Sequence, residues 1–219
     1  MVKPNSSTGR SKIEPDTPVA ELETRERILQ AAHSVFTHKG TAGSRTQEIA
    51  DEAGVNKALV HYYFGTKAAL ADAIFERALA TITPKMFGIL ADPERTIEQK
   101  VADIVREQID FHTERPYFAG YLVSELHAEP ERVARLVARR GHLPLDVLRR
   151  QLREGIRAGK IRPMSAEQFV ANMMGLLIFP FATRPALSQL LGLDAAGWRT
   201  FVEERKRFLP GFVMAGLRP

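Results

Sequence analysis

Apolar residues recur at intervals of three and four along almost the whole chain, from Glu23 to Leu217. That spacing places them on one face of an α-helix, which turns once in about 3.6 residues. No long stretch of the sequence alternates apolar with polar residues, as a half-buried β-strand would. We therefore predict an all-α fold, made of helices that bury their apolar faces against one another.

The composition limits both the chemistry and the compartment. The 219 residues include no cysteine, so disulfides, thiolate zinc sites and cysteine nucleophiles are excluded. This agrees with a reducing cytoplasm, where we expect the protein to be. Residues 1–22 are rich in Pro, Ser and Thr and lack the apolar run of an export signal, so we predict a flexible arm. The longest apolar run, residues 169–182, is shorter than the roughly 20 residues that span a bilayer, and we expect no membrane partner.

Residues 46–70 read TQEIADEAGVNKALVHYYFGTKAAL, in which two short helical runs meet at a single glycine. Gly54 lacks a Cβ and therefore tolerates the left-handed turn that would end the first run. Two helices joined by such a tight turn form a helix-turn-helix, whose second helix is able to enter a groove. The helices predicted here span residues 24–39, 47–52 and 57–63, then Thr66 to an interruption at Pro84 and Gly88, with Gly40 as the first stop and Thr46 and Asn56 as N-caps.

The second helix of this motif has the size of a DNA-recognition helix. Its seven residues at about 1.5 Å each extend about 10 Å, which matches the roughly 12 Å width of the major groove. Val55, Val60 and Phe64 are spaced to pack inward, which leaves the polar side facing out. We predict contacts with double-stranded DNA from Arg45, Thr46, Lys57, Ala58, Leu59, His61, Tyr62 and Lys67. The alternative is a helical interaction module that binds another protein and not DNA.

The net charge is not concentrated where this DNA contact is predicted. The chain carries +5 in total, and residues 21–80 hold seven basic against eight acidic residues, a net −1. Residues 1–20 carry +1, so the remaining +5 lies in residues 81–219. DNA binding by the helix-turn-helix would therefore depend on where individual cations lie and not on bulk charge.

The same stretch resembles the DNA-binding domain of the TetR family of transcriptional repressors. The resemblance is carried by Thr46, Ile49, Ala50, Ala53, Gly54, Val55, Asn56, Tyr63, Phe64, Lys67 and Leu70. Further along, LREGIRAGKIRP resembles the segment that closes a long helix in that family, just before its dimer-forming helices. Two positions depart from the pattern, because His61 stands where the family most often has tyrosine and Leu59 where small hydroxyl residues are common. The base preference of other members therefore does not carry over.

The resemblance implies a three-helix helix-turn-helix DNA-binding domain, followed by a helical ligand-binding and dimerisation domain. We place the arm at residues 1–22, the first domain at residues 23–82 and the second at residues 83–219. The family likeness further implies a repressor that binds a palindromic operator as a homodimer and is released by a small-molecule effector.

The second half of the chain supplies the surfaces for dimerisation. Asp92 and Pro93 are predicted to begin a helix, and further helices are predicted over residues 116–128, 131–140, 144–159, 165–180 and 195–214. Residues 165–181 are apolar nearly all round, and the last helix carries a stripe that includes Trp198, Phe201, Phe208 and Phe212. We predict a homodimer through these last two long helices; the alternative is that the stripe belongs to the core of one chain.

An effector pocket needs apolar walls and a few polar anchors. The predicted ligand-binding residues are His112, Tyr117, Tyr121, Glu125, Asn172 and Met173. Their aromatic rings and methionine favour an apolar or aromatic effector, although the same residues are also ordinary core residues in many proteins.

Residues 131–162 hold ten basic and three acidic residues, a local net charge of +7. Such a run is either a solvated helix face or a contact for an acidic effector, an acidic partner or DNA phosphates. The six histidines show no metal-ligand spacing, and the sequence has no glycine-rich phosphate loop. We therefore expect no metal site, no cofactor and no enzymatic activity.

Overall fold

The computed structural model describes residues 18–219, and over that range the chain is helical without a β-strand, which confirms the all-α prediction. The helices are α1 (Pro18–Gly43), α2 (Thr46–Ala53), α3 (Lys57–Phe64), α4 (Lys67–Ala91), α5 (Ile97–Glu114), α6 (Phe118–Ala128), α7 (Pro130–Ala138), α8 (Asp146–Arg157), α9 (Ala166–Ala182), α10 (Arg184–Leu191) and α11 (Ala195–Leu217). Most of the predicted arm, residues 1–17, lies outside the described residues, and its last five residues belong to α1.

The described residues fall into two compact units, which divide between Ile74 and Phe75 inside α4. The predicted domain boundary near residue 82 also falls within this helix and stays a prediction. The first unit has its own apolar core, drawn from α1, α2, α3 and the start of α4, with Ile28, Ala32, Phe36, Ile49, Val60 and Leu70 buried. These positions follow the helical spacing of the sequence, and burying them holds the short α2 and α3 against the longer helices.

Local hydrogen bonds set the ends of α2 and α3. The prediction that Thr46 caps α2 is wrong by one residue, because Arg45 is extended (φ −111°, ψ 141°) and Thr46 already belongs to the helix. The Glu48 carboxylate reaches back and accepts a hydrogen bond from the Arg45 backbone N–H at 3.1 Å, which stabilises this earlier start. Asn56 caps α3 as predicted, since its Oδ1 accepts from the Leu59 N–H at 2.8 Å.

The second unit is a helical bundle centred on α5 and α9. α5 packs against α8, α9 and α11, while α9 also contacts α6, α8 and α10. The prediction that Asp92 and Pro93 begin α5 is wrong, because Thr96 is its N-cap. The Thr96 hydroxyl accepts from the Gln99 N–H at 3.2 Å, and the Gln99 side chain accepts from the Thr96 N–H at 2.9 Å. This reciprocal pair satisfies two backbone donors at once, which a single aspartate cap does not.

Prolines lie inside three of the described helices and do not end them. The predicted interruption at Pro84 and Gly88 is wrong, since α4 continues to Ala91 with Ile89 and Leu90 buried beyond the proline. Pro210 lies within α11 and Pro180 within α9. Burial of apolar residues on both sides of a proline compensates for the backbone hydrogen bond that the proline cannot make.

The backbone group left unpaired by Pro180 has a partner on another helix. In a regular helix the N–H of residue 180 would donate to the carbonyl of Leu176, but proline has no N–H. Arg205 of α11 donates from its guanidinium to that carbonyl oxygen at 2.6 Å. A hydrogen bond between α9 and α11 therefore replaces one that α9 lacks.

α10 is missing from the predicted helices. None of its residues is buried, and although Leu187, Leu190 and Leu191 have helical spacing, a run of eight residues is too short for that spacing alone to predict a helix. Its C-cap, Gly192, has φ 65°, a backbone conformation that favours glycine. α9 and α10, which meet at an angle of 78°, together have the length and composition of a broken membrane span, whereas no single helix among the described residues does.

Candidate DNA-binding surface and ligand sites

α3 presents a continuous exposed face in the first unit. The exposed residues are Lys57, Ala58, His61 and Tyr62, and their spacing puts them on the same side of the helix. Tyr62 is 73% exposed, although its ring is large and mostly apolar. Val60 is buried on the opposite side, and Leu59 is half-buried between the two. The structure therefore brings the predicted contacts of α3 together, with less of Leu59 available than the sequence predicted.

Two of the predicted DNA contacts also make hydrogen bonds within the first unit. His61 Nδ1 lies 2.7 Å from the Gly65 carbonyl oxygen, so Nδ1 is the donor there and Nε2 is the ring nitrogen left for another partner. Lys67 Nζ donates to the backbone carbonyls of Ser44 at 2.8 Å and Ala42 at 3.3 Å. Lys67 thus ties the start of α4 to the segment before α2, and its contact with phosphate remains a prediction.

The N-terminus of α2 holds the other two predicted contacts. Arg45 is exposed and Thr46 is half-buried, next to backbone N–H groups that attract an anion. Lys39 donates to the Glu48 carboxylate at 2.8 Å. This bond and the one from the Arg45 backbone hold the pKa of Glu48 below its ordinary value. Glu48 remains ionised and places a negative charge beside any phosphate that would bind here.

All six predicted ligand-binding residues belong to the second unit, and four of them are buried, namely His112, Tyr121, Glu125 and Met173. His112, Tyr121 and Glu125 are each 2% exposed. The His112 ring stacks on Phe181 with a centroid distance of 5.2 Å, and Tyr121 lies 5.0 Å from the ring of Phe75. These residues belong to a buried aromatic cluster that joins α4, α5, α6 and α9, defined here as Phe75, Phe111, His112, Phe118, Tyr121 and Phe181.

His112 is the polar member of the aromatic cluster with an unused hydrogen-bonding atom. Its Nδ1 is buried and has no hydrogen-bond partner among the described residues. Burial lowers the pKa of His112 to about 4, so the ring is neutral near pH 7. A neutral imidazole offers one donor and one acceptor, which suits it to hold a polar group of an aromatic ligand.

Glu125 and Tyr117, two other predicted ligand-binding residues, do not belong to the aromatic cluster. The Arg132 guanidinium binds the Glu125 carboxylate and also lies 5.6 Å over the Phe75 ring. The Glu125 charge is therefore compensated within the protein. Tyr117 is 54% exposed at the start of α6 and is not part of the buried cluster.

Asn172 and Met173 lie at a separate cavity between α9 and α11. The cavity has a volume of about 410 Å³ and is lined by Met164, Phe169, Asn172, Met173, Leu176, Phe212, Val213, Ala215, Gly216 and Leu217. Asn172 supplies the polar side chain of this otherwise apolar lining. The sequence did not predict Phe169, Leu176 or Phe212 as lining residues. The sequence shows that these residues are apolar and on which face of a helix they lie, but not which helices face each other.

The apolar stripe of α11 divides between core and surface. Trp198, Val202 and Leu209 are buried, which agrees with the alternative that the stripe is core of one chain. Phe208 and Phe212 are 63% and 53% exposed, and their ring centroids lie 5.6 Å apart. On α9, Met174 and Phe179 are likewise exposed. Exposed large apolar residues such as these are typical of a surface that other molecules cover.

Two family models match the chain. The model described as bacterial regulatory proteins of the tetR family matches residues 28–74, which include α2 and α3. The model described as the C-terminal domain of proteins like the tetracyclin repressor matches residues 98–209. The second match alone covers 112 residues, which is more than half of the 219-residue chain.

Individual proteins are also similar to this chain. The HTH-type transcriptional repressor NicS of Pseudomonas putida is 29% identical over 196 residues, covering 83% of this chain and 89% of that repressor. The fold is similar to that of the hemolysin II transcriptional regulator HlyIIR, with a TM-score of 0.62 at 22% identity over 91% of this chain and 99% of that one. It is also similar to the ketosteroid transcriptional regulator KstR2 of Mycobacterium tuberculosis, with a TM-score of 0.67 at 15% identity over 89% and 95% of the two chains.

Proposed function

This chain belongs to the tetR family of bacterial regulatory proteins, and we propose that it represses transcription by binding a palindromic operator as a homodimer. Regulators of this family bind DNA and form dimers. The names of the relatives are those of transcriptional regulators, which are not enzymes. The proposal includes action in the cytoplasm, where bacterial DNA is.

The exposed face of α3 is the observation that supports DNA recognition. A helix of eight residues is about 12 Å long, so it fits the major groove. Lys57, at its N-terminal end, and Tyr62, one turn and a half further on, are the side chains best placed to reach bases or phosphates. Arg45 and Thr46 at the start of α2 complete the proposed contacts with the DNA backbone.

The exposed apolar residues of α9 and α11 support the proposed dimer interface. A two-fold axis would bring the same patch of two chains together, so Phe208 and Phe212 of each would be covered by the other. Two recognition helices set about 34 to 36 Å apart would then read a palindrome with half-sites one helical turn apart.

The aromatic cluster and the cavity between α9 and α11 support an apolar or aromatic effector. His112 of the cluster and Asn172 of the cavity are the proposed polar anchors, with Tyr121 and Met173 as apolar neighbours. Release of the operator requires that the effector binds more tightly to the form that does not bind DNA. Trp198, the single tryptophan, lies 5.9 Å from Phe181, so its fluorescence should report a ligand that enters the cluster.

The test is selection of bound fragments from the sheared genomic DNA of the host, followed by sequencing. We expect enrichment of one palindrome by the unaltered protein and loss of that enrichment in Lys57→Ala/Tyr62→Ala. The matched control is Lys85→Ala/Tyr117→Ala, which removes the same residue types from exposed positions outside α3. The proposal fails if both variants enrich the palindrome equally, or if the folded, unaltered protein enriches no sequence.

A further inference from the structure

The cavity between α9 and α11 opens at the surface of the second unit. Its volume of about 410 Å³ lies within the roughly 300–1,000 Å³ of small-molecule sites. Among its lining residues, Asn172, Ala215 and Gly216 are exposed, and Phe212 is 53% exposed. A small-molecule site commonly buries about 70–90% of the surface of its ligand. One chain therefore forms the floor of such a site but leaves one side open to solvent.

Exposed aromatic rings continue from this opening along both helices. On α9, Phe179 shares a helix face with Asn172, and on α11 Phe208 shares one with Phe212. Phe179 and Phe208 are 59% and 63% exposed. A covered phenylalanine buries about 150–250 Å², so covering these three rings in each of two chains would remove roughly 700 Å² from water, close to half of the roughly 1,600 Å² of a standard interface. The surface around the cavity is therefore large and apolar enough for a second copy of this chain to cover it.

Two glycines on the same faces fit the close approach of a second chain. Gly175 of α9 and Gly211 of α11 are exposed, and among the described residues a Cβ at either would meet no atom beyond its own helical turns within 4 Å. Glycine destabilises the interior of a helix relative to alanine. The packing of one chain does not require this cost at either position, whereas a helix of a second copy comes closer to a backbone that has no Cβ.

The lining residues define the class of ligand. In the described part of the chain no charged side chain lines the cavity, and Asn172 supplies the polar group. An ionised ligand would lose its hydration there without gaining an ion pair, whereas a hydroxyl group can bond to the amide, which both donates and accepts. We propose that two copies of the chain together complete this cavity as a binding site for an uncharged, largely apolar molecule with one hydroxyl group; the inference rests on the homodimer of the proposed function.

A site that two copies complete links ligand binding to association of the chains. A ligand that binds the dimer better than the separate chain lowers the apparent dissociation constant of the dimer, and dilution of the protein weakens binding of the ligand. A site contained in one chain, such as the aromatic cluster, has no such dependence.

The experiment measures binding of 2-naphthol, an uncharged aromatic alcohol, by equilibrium dialysis, and dissociation of the dimer by analytical ultracentrifugation with and without 2-naphthol. The proteins are the unaltered chain, Phe208→Glu, Gly211→Leu, Asn172→Leu and the control Val137→Glu. Phe208 and Gly211 are exposed and do not line the cavity, so these two variants disturb the cover and leave the lining unchanged. Val137→Glu places the same charge at an exposed apolar residue of α7.

We expect the unaltered chain to bind 2-naphthol and 2-naphthol to strengthen the dimer. Phe208→Glu and Gly211→Leu should keep the helical circular dichroism spectrum but be monomeric where the unaltered chain is dimeric, and they should lose most of the binding because one side of the site stays open. Asn172→Leu should weaken binding about two- to tenfold without weakening the dimer, since one neutral hydrogen bond is lost. Val137→Glu should behave as the unaltered chain, and 2-naphthoate, which carries a charge, should not compete with 2-naphthol.

The inference is overturned if a folded, monomeric Phe208→Glu or Gly211→Leu binds 2-naphthol as tightly as the unaltered dimer, because one chain then holds the whole site. An unaltered dimer that binds no 2-naphthol also overturns it, since the second copy then fills the cavity itself. If both variants stay dimeric, the interface lies elsewhere and the inference fails. A monomeric unaltered chain refutes the proposed homodimer together with the inference. No step uses DNA, so recognition of an operator is judged separately by the fragment selection.

Discussion

Replacing Arg205 by methionine should lower the free energy of unfolding by about 1–2 kcal/mol, and most of that loss should disappear when Pro180 is replaced by alanine. The reason is the backbone of α9. Pro180 cannot donate to the Leu176 carbonyl, and Arg205 donates to it from α11 at 2.6 Å. Methionine keeps the unbranched apolar stem of the side chain but has no guanidinium, so it leaves the carbonyl without this donor.

The magnitude follows from three contributions. A buried carbonyl without a hydrogen bond costs about 1–3 kcal/mol, and the bond from Arg205 to the Leu176 carbonyl is only partly buried. Burial of the guanidinium opposes this, because Arg205 Nε has no partner and burial lowers the pKa of the group, so we take the lower part of that range. The contact of Arg205 with the Phe201 ring, at 6.0 Å, is lost in both backgrounds and cancels. In Pro180→Ala the N–H of residue 180 donates to Leu176, so the coupling between the two changes should be about 1–2 kcal/mol.

The assay is urea unfolding of the unaltered chain, both single variants and the double variant at one protein concentration, which keeps any association constant. Arg207→Met is the control, because Arg207 is exposed and bonds to the Glu203 carbonyl of its own helix. Its effect should be small and the same in both backgrounds. If the costs of Arg205→Met and Pro180→Ala add to within about 0.5 kcal/mol, the replacement of the missing hydrogen bond by Arg205 is refuted.

Three further changes test other parts of the structure. In Gly155→Ala the new Cβ would lie 2.5 Å from Ile161 Cδ1 and 2.9 Å from its Cγ1. We expect this change to lower the free energy of unfolding, measured by thermal unfolding, by about 1–3 kcal/mol, and Ile161→Ala to restore part of that loss. Full additivity of the two changes would contradict this. Tyr63→Phe should leave the unfolding free energy unchanged or raise it, because the Tyr63 hydroxyl is buried without a partner among the described residues; a clear loss in urea would contradict this. His112 has a pKa of about 4 in the folded protein, below its value of about 6.5 in the unfolded chain. The stability that neutral His112 allows is therefore fully present above about pH 6.5, and the free energy of unfolding falls by at most about 3 kcal/mol as the pH drops towards 4. His112→Leu should flatten that part of the stability profile measured against pH, and an unchanged profile would contradict the assignment.

The parts of the fold that the sequence predicts are those set by neighbours along the chain. Apolar spacing and the Asn56 cap locate α3, because a helix and its cap depend on residues within one or two turns. The errors lie where a distant contact decides. Pro84 looks like a helix end by itself, but burial of Ile89 and Leu90 carries α4 past it. α10 is eight residues long and none of them is buried, so its leucines at helical spacing are too few to predict a helix from the sequence.

The same distinction separates the two candidate sites. The exposed face of α3 follows from helical spacing within eight residues, and the structure exposes Lys57, Ala58, His61 and Tyr62 there but half-buries Leu59. The ligand residues required knowledge of which helices meet. His112 and Tyr121 come together in the aromatic cluster, whereas Asn172 faces a different cavity. Residue type marked all three as suitable for a pocket, but only the packing of the helices assigns them to different places.

The placement of charge limits what the helix-turn-helix contributes to DNA binding. A recognition helix in a segment with a net charge of −1 gains little from long-range attraction, so its contribution to binding should depend on base contacts. Changes at Lys57 or Tyr62 of α3 should therefore alter which sequences are bound. The same net charge should limit non-specific binding by α3, because binding to DNA of any sequence depends on cations that neutralise phosphates.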